Sequence, residues 1–251
     1  MDCLILAAGY ATRLYPLTEN MPKPLLKVKE KTILDWLIDD IDSSGRVERY
    51  IVVSNSKFAS NFNDWALNHP KKDAIVVLDD GTTSNETRLG AVRDILFAAE
   101  ELKLDGELMV IAGDNVLDFS LCRFIEYYEE KKKSCIMRYW EADYERCKSS
   151  GVAEVDGNDM IVSMEEKPAE PKSQWLTPPF YIYTKSDMAL LKEALDSGCK
   201  ADAPGSFAAW LAEKSEVYAM EMPGRRYDIG NLESYKKVQK EYNGIIDEFL
   251  R

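Results

Sequence analysis

The chain has 251 residues, 45% of them hydrophobic, and a formal charge of −12. That length and composition suffice for one large α/β domain with a full core, and the acidic balance disfavours nucleic acid and anionic membranes as partners. No apolar run approaches the ~20 residues of a membrane-spanning helix, and Met1-Asp2-Cys3 lacks the basic start of a secretory signal, so a cytoplasmic location is expected.

The first predicted element is a strand. Cys3–Ala7 is a continuous apolar run, as in a strand covered on both faces. It leads into Gly9 and then a 24-residue stretch, 8–31, without clear periodicity. Long stretches of this kind inside a domain are usually functional or disordered. Leu14, Pro16, Leu17, Leu25 and Leu26 would anchor this one. A glycine directly after a strand lets a ligand come close to the backbone, and open α/β sheets bind ligands at the carboxyl ends of their strands. Arg13 offers a planar fork for phosphate oxygens, and Lys23, set between Pro22 and Pro24, a point charge. Residues 1–31 hold five Lys/Arg against three Asp/Glu, whereas the rest of the chain carries −14. A basic loop on an acidic protein suits a small anion; the alternative is a proline-rich surface loop with solvated charges. Neither the P-loop pattern nor the dinucleotide fingerprint occurs, so a phosphate would have to be held in another way.

Helices are expected at Ile33–Ile41, Phe58–Leu67 and Leu89–Leu102, and strands at Tyr50–Val53, Ala74–Leu78 and Leu108–Ala112. Strands separated by helices imply a parallel sheet with helices on both faces. Gly113-Asp114-Asn115 follows the last of these strands. Asp114 would then lie at a carboxyl end, where a carboxylate can hold Mg²⁺ or merely terminate a turn. The later half is mixed: strands at Cys135–Trp140, Gly151–Val155, Ile161–Met164, Phe180–Tyr183 and Glu216–Met220, and helices at Asp187–Leu195 and Phe207–Lys214. Pro168–Pro179, with four prolines, reads as a loop too short to divide the chain, so one domain over 1–251 is expected. Glu165-Glu166-Lys167-Pro168 ends a short strand and could hold an anion and a hydroxyl of one ligand, or be an exposed charged turn. Tyr227-Asp228-Ile229-Gly230-Asn231 offers a second carboxylate, or a capping residue, before a final helix from Leu232 that Asn231 can cap. Cys3, Cys122, Cys135, Cys147 and Cys199 are scattered, which argues against a zinc site and a disulfide framework. His69 is the only histidine, so Ser-His-Asp and Cys-His chemistry are excluded.

In this order the motifs Gly9-x-Ala11-Thr12-Arg13-Leu14, Pro22-Lys23-Pro24, Gly113-Asp114-Asn115, Gly151-Val152, Glu165-Glu166-Lys167-Pro168 and Asp228-Ile229-Gly230 resemble the sugar-phosphate nucleotidylyltransferase family. The resemblance covers about residues 2–235. It implies a Rossmann-like three-layer α/β/α sandwich with a mixed, mainly parallel central sheet and a β-rich insertion. It implies Mg²⁺-dependent transfer of a nucleotidyl group from a nucleoside triphosphate to a phosphorylated small-molecule acceptor, a sugar 1-phosphate, with release of pyrophosphate. Carried over by position, Arg13, Lys23, Asp114 and Asp228 would be catalytic, and Asp114 and Asp228 would hold the metal. Ala8, Gly9, Thr12, Arg13, Asn85, Arg88 and Gly90 would bind the nucleotide. Gly151, Glu166, Lys167 and Tyr181 would bind the acceptor. A homo-oligomer is compatible with this. Two alternatives remain beside it: a choline-phosphate cytidylyltransferase, with Trp140, Trp175, Phe180, Tyr181 and Tyr183 as an aromatic cage, and a non-catalytic regulatory homologue.

Three positions depart from the family pattern. Ala11 stands where glycine is usual, so a positive φ there would be strained. Arg88-Leu89-Gly90-Ala91 replaces the usual base-reading Gly-Leu-Ala-Gln, and Pro178-Pro179 replaces a Thr-Gly pair near the acceptor. Many relatives continue into a β-helix of hexapeptide repeats. Here about twenty residues follow Asp228 and read as one helix, so no second acyltransferase activity is expected.

Overall fold

A computed structural model describes residues 1–246. In chain order its elements are β1 (Asp2–Leu6), β2 (Lys27–Val28), β3 (Lys31–Thr32), α1 (Ile33–Asp42), β4 (Arg49–Ser54), α2 (Ala59–Asn68), β5 (Ile75–Asp79), α3 (Ala91–Glu101), β6 (Leu108–Ala112), β7 (Asn115–Leu117) and α4 (Cys122–Lys131). They continue with β8 (Ser134–Trp140), α5 (Tyr144–Cys147), β9 (Gly151–Val155), β10 (Ile161–Glu166), β11 (Trp175–Thr177), β12 (Phe180–Tyr183), α6 (Lys185–Met188), α7 (Leu191–Asp196), α8 (Gly205–Ala212), β13 (Val217–Glu221), β14 (Arg226–Asp228) and α9 (Leu232–Glu241). The chain folds into two compact units. One comprises Met1–Arg88, Ala112–Arg123 and Pro223 onward, and the other Leu89–Ile111 and Phe124–Met222.

In the first unit β1, β4 and β5 are parallel, with Leu4 beside Ile51 and Ile51 beside Val76. Their fully buried Leu4, Ile5, Ile51 and Val52 explain the uninterrupted apolar runs in the sequence. Helix α1 begins where expected because Thr32 and Asp35 form a reciprocal capping box. Its Ile33, Leu34, Leu37, Ile38 and Ile41 are buried. Parallel strands end on one edge. There the Asn55 amide donates to the Ala8 carbonyl at 2.8 Å, and Ser56 N donates to Thr82 O at 2.9 Å, tying together the loops that follow β1, β4 and β5. The short β7 and β14 form an antiparallel ribbon, with Asp228 opposite Asn115 and Arg226 opposite Leu117. Asn231 caps α9 as expected, its side chain accepting from Ser234 N.

In the second unit β8 is flanked by antiparallel β11 and β12 and pairs in parallel with β13. β11 then pairs with β9, β9 with β10, and β12 with β6, all antiparallel. Phe180, Tyr181, Tyr183 and Phe207 fill its interior.

Several elements differ from the sequence expectation. Pro168–Pro179 is not all loop, since Trp175–Thr177 forms β11 between β8 and β9. Prolines bracket this three-residue strand and hide its pattern. The helix expected over Asp187–Leu195 is two, α6 and α7, broken after Met188. Helix α3 starts at Ala91 rather than Leu89, because Gly90 has φ 94°. Helix α4 was not anticipated: its buried Phe124, Ile125 and Tyr128 are diluted by Glu126, Glu129 and Glu130.

Candidate active site

The opening loop is anchored from within. Leu14 is buried in a tight turn, Thr12–Leu14, and the Thr18 hydroxyl donates to the Ala11 carbonyl at 2.8 Å. Ala11 has φ 47° and ψ 39°, the left-handed conformation in which a Cβ is unfavourable. The departure noted in the sequence is therefore a real local strain. Thr12 and Arg13 are exposed beside it, and Ala8 is half-buried. Gly9 is exposed, and a Cβ built on it meets nothing within 4 Å. Among the described residues nothing demands glycine there, and such open space is what a ligand cradle requires.

Lys23 begins a second tight turn that Pro22 and Pro24 hold rigid. Its ammonium donates to Asp114 Oδ2 at 2.7 Å and to the Ile229 carbonyl at 2.8 Å. The Asn115 amide donates to Asp114 Oδ1 at 2.6 Å, and Arg226 Nη1 donates to Asn115 Oδ1 at 2.8 Å. Three motifs distant in sequence thus meet at the β7/β14 ribbon. Burial pushes the Asp114 carboxyl up, but the Lys23 charge and hydrogen bond and the Arg226 charge outweigh it and hold Asp114 below the usual carboxylate range. Asp228 is shifted the other way. Desolvation and the charge of Asp114 raise it, against the pull of Arg226, Lys23 and Arg13. Asp114 thus disfavours the charge of its neighbour Asp228, and the two carboxylates are the residues here that could hold a divalent cation. Among the described residues no three His, Cys, Asp or Glu side chains gather into a metal cage. Mg²⁺ does not need one, because it keeps water and phosphate oxygens beside one or two carboxylates.

Sequence reasoning missed Arg226. The signal was present: Arg226 and Asp228 are two residues apart on β14 and therefore share a face.

The residues expected to read the base divide. Arg88 Nη1 donates to Asn85 Oδ1 at 3.2 Å, and both side chains are exposed. Gly90 is buried at the start of α3, where a Cβ would lie 2.6 Å from Ala201 O, so its glycine is also required by packing.

The expected acceptor residues gather in the second unit. The β9/β10 ladder sets Glu166 opposite Gly151, and Lys167 N donates to Ser150 O at 3.0 Å. A Cβ on Gly151 would lie 2.3 Å from Thr177 Oγ1 and 2.9 Å from Glu166 Oε2. A Cβ on Gly205 would lie 2.3 Å from Glu166 Oε2 and 3.3 Å from the Tyr181 hydroxyl. Thr177 and Ser206 are more than nine-tenths buried, and their hydroxyl oxygens lack a hydrogen-bond partner among the described residues. Burial raises the Glu166 carboxyl, against the charge of Lys167 and with that of Asp202. Lys167 has φ 52°, and its exposed ammonium lies 3.9 Å from Asp202 Oδ2. Such backbone strain collects at ligand sites. Gly205, Ser206 and Thr177 were not singled out in the sequence, since nothing in their local pattern separates them from packing residues.

Of the five aromatic residues, Trp140 is exposed and meets the Trp175 ring edge-on at 5.3 Å, and Tyr181 stacks on Tyr183 at 5.8 Å. Phe180, Tyr181 and Tyr183 are at most 1% exposed, and the Trp175 ring is occupied by the Arg138 guanidinium at 4.5 Å.

Comparison with known proteins agrees with these motifs. The family model for nucleotidyl transferases matches residues 2–244. The chain belongs to the nucleotidyl transferase family. Among curated relatives, the bifunctional protein GlmU of Methanocaldococcus jannaschii is 28% identical over 99% of this chain and 58% of its own length. GlmU of Methanococcus vannielii is also 28% identical, over 92% of this chain and 52% of its own. The chain thus spans little more than half of the length of these relatives. Among solved structures, a putative glucose-1-phosphate thymidylyltransferase from Bacillus anthracis, in complex with a sucrose, has a TM-score of 0.79 at 20% identity, covering 99% of this chain and 98% of its own. A UDP-glucose pyrophosphorylase complexed with UDP-glucose has a TM-score of 0.80 at 21% identity, covering 96% and 97%. The chain shares their Rossmann-like fold, with a mixed central sheet and helices on both sides. No helix among the described residues is long and apolar enough to cross a membrane.

Proposed function

We propose that the chain transfers a nucleotidyl group from a nucleoside triphosphate to a sugar 1-phosphate, in a Mg²⁺-dependent reaction that releases pyrophosphate. The observation that carries this is the meeting of Lys23, Asp114 and Asp228 at the β7/β14 ribbon. Gly9, Thr12 and Arg13 bind the triphosphate, with Ala8, Asn85, Arg88 and Gly90 on the nucleotide side. Arg13 and Lys23 neutralise charge at the α-phosphate and on the departing pyrophosphate. Asp114 and Asp228 hold Mg²⁺, which when bound screens the triphosphate's negative charge. Gly151, Glu166, Lys167 and Tyr181 hold the acceptor, with Lys167 on its phosphate. An acceptor phosphate monoester is already largely ionised at neutral pH, its second pKa being about 6. The chain therefore needs no general base. Its residues contribute position and fixed charge, as in other phosphoryl-type transfers. We also place the protein in the cytoplasm, without nucleic-acid or membrane partners, and consider it as one catalytic domain that can self-associate.

The structural relatives are named for glucose 1-phosphate and UDP-glucose. The test therefore begins with UTP and dTTP on glucose 1-phosphate and extends to the other triphosphates, other sugar 1-phosphates and phosphocholine. Pyrophosphate release with a sugar phosphate is expected. Release with phosphocholine alone would favour the cytidylyltransferase, and no release with any pair the regulatory homologue. The burial of Phe180 and Tyr183 and the Arg138 guanidinium on the Trp175 ring support the sugar phosphate over phosphocholine in this reading.

A further inference from the structure

We propose that Lys23 is a resident counter-ion of the two-carboxylate site, keeping free divalent metal off Asp114 until the metal arrives in complex with a triphosphate. This rests on the nucleotidyl-transfer assignment above. Both Asp114 oxygens are already engaged, Oδ2 by Lys23 at 2.7 Å and Oδ1 by Asn115 at 2.6 Å. The Lys23 side chain is only 15% exposed, and its ammonium is pinned a second time by the Ile229 carbonyl at 2.8 Å. This is unlike an exposed ion pair, which is worth little and exchanges freely. Ile229 directly follows Asp228, and Ile229 N donates to the Asp114 carbonyl at 3.3 Å. The ammonium is therefore clamped by both aspartate motifs at once.

A bare metal ion competing for Asp114 Oδ2 must evict a half-buried ammonium and leave it without a carboxylate. Stranding a desolvated charge in this way is costly. A metal that arrives with a triphosphate brings a replacement acceptor. A phosphate oxygen can receive the Lys23 ammonium while the metal takes the vacated carboxylate oxygen. Arg226 supplies a different kind of charge. Its link to Asn115 at 2.8 Å ties it to the ribbon itself, and it shares the Asp228 face of β14. One cation is fixed and one is exchangeable, and the exchangeable one lies on the loop that meets the substrate.

Mn²⁺ serves as the probe, followed by water-proton relaxation enhancement on the full chain, which reports protein-bound metal without any turnover. Wild type with Mn²⁺ alone should bind weakly, and adding α,β-methylene-UTP or α,β-methylene-dTTP should produce a strongly enhanced ternary complex. Lys23→Met should bind Mn²⁺ alone about tenfold more tightly than wild type, although it loses catalysis, because Asp114 Oδ2 then has no ammonium for the metal to displace. Lys23→Gln, which keeps a donor for the Ile229 carbonyl, should fall between them and guards against a folding defect in the first variant. Equal Mn²⁺ affinity in wild type and both folded variants would overturn the counter-ion role while leaving the metal site standing. Enhancement from no protein under any condition would overturn the metal assignment and this proposal with it.

Discussion

Asp114 and Glu166 are both carboxylates in the proposed ligand sites, and their surroundings are opposite. Asp114 is met by Lys23, Asn115 and the charge of Arg226, and its carboxyl is held low. Glu166 is surrounded by the glycines at 151 and 205, and burial holds it high. In the first unit Lys23 and Asn115 occupy both Asp114 oxygens. In the second, the hydroxyls of Thr177 and Ser206 lack a hydrogen-bond partner among the described residues. A site neutralised from within suits a ligand that brings its own charge and exchanges it. A site with unpaired donors and acceptors suits a ligand rich in hydroxyl groups, since buried polar atoms are otherwise costly.

The hardest test of this contrast removes a carboxylate from the first unit. Asp228→Asn should lower Mg²⁺-dependent pyrophosphate release by about 10³-fold, the scale seen when one strong electrostatic group is lost. The fold should persist, because removing the charge of Asp228 relieves its desolvation and its repulsion with Asp114. Steady-state rates with circular dichroism check this, and an undiminished rate would remove Asp228 from the metal site.

Two alanines then separate the units. Gly205→Ala pushes against Glu166 Oε2, the far end of a flexible side chain, so Glu166 can swing aside and the fold survive. The acceptor KM should rise by about tenfold or more, as expected for a displaced polar contact of ~1–3 kcal/mol, with the triphosphate KM unmoved. Gly9→Ala should do the reverse, raising the triphosphate KM alone, because its Cβ meets no protein atom and enters space assigned to phosphate. Equal effects on both constants would mean that the two ligands are not divided in this way.

How far the sequence revealed each region follows from what defines it. The first unit's strands are apolar runs, and its site residues sit in short motifs with charge, so Arg13, Lys23, Asp114 and Asp228 stood out. Arg226 could have been found from strand alternation with Asp228. The second unit's cluster around Glu166 is defined by missing side chains at Gly151 and Gly205 and by ordinary hydroxyls on Thr177 and Ser206. Such features acquire meaning only when β9, β10, β11 and α8 bring them together. The β11 strand itself was masked by prolines whose local preference oppose regular structure. Tertiary pairing on both sides overrode them.

The two carboxylates also predict opposite responses to pH. Pairing lowers Asp114, so its contribution to stability is present above the ordinary carboxylate range and is lost as pH falls through its lowered value. Burial raises Glu166, so its charged form costs stability at neutral pH, and the cost fades as pH falls from the raised value to the ordinary one. Glu166→Gln should therefore raise Tm at pH 7 by ~1–3 °C for a protein of this size, with the gain shrinking in acid, while acceptor binding weakens. A Tm gain independent of pH would mean that Glu166 burial is not its source.

The smallest effect lies at Ala11, where the strained opening loop is weighed against its own unfolded state. A non-glycine residue at φ 47° costs on the order of 1 kcal/mol in the folded protein. Glycine would remove that cost but would give the unfolded chain more freedom, a penalty of about 0.4–1 kcal/mol. The Thr18 hydroxyl already holds the Ala11 carbonyl, so the loop does not depend on the alanine methyl to keep its shape. The balance should favour Ala11→Gly by ~0.5 kcal/mol, a Tm increase of ~1–2 °C, with KM for both substrates unchanged. A lower Tm would mean that backbone entropy outweighs the relief of strain, and a changed triphosphate KM that Ala11 sets the loop's shape as well as tolerating it.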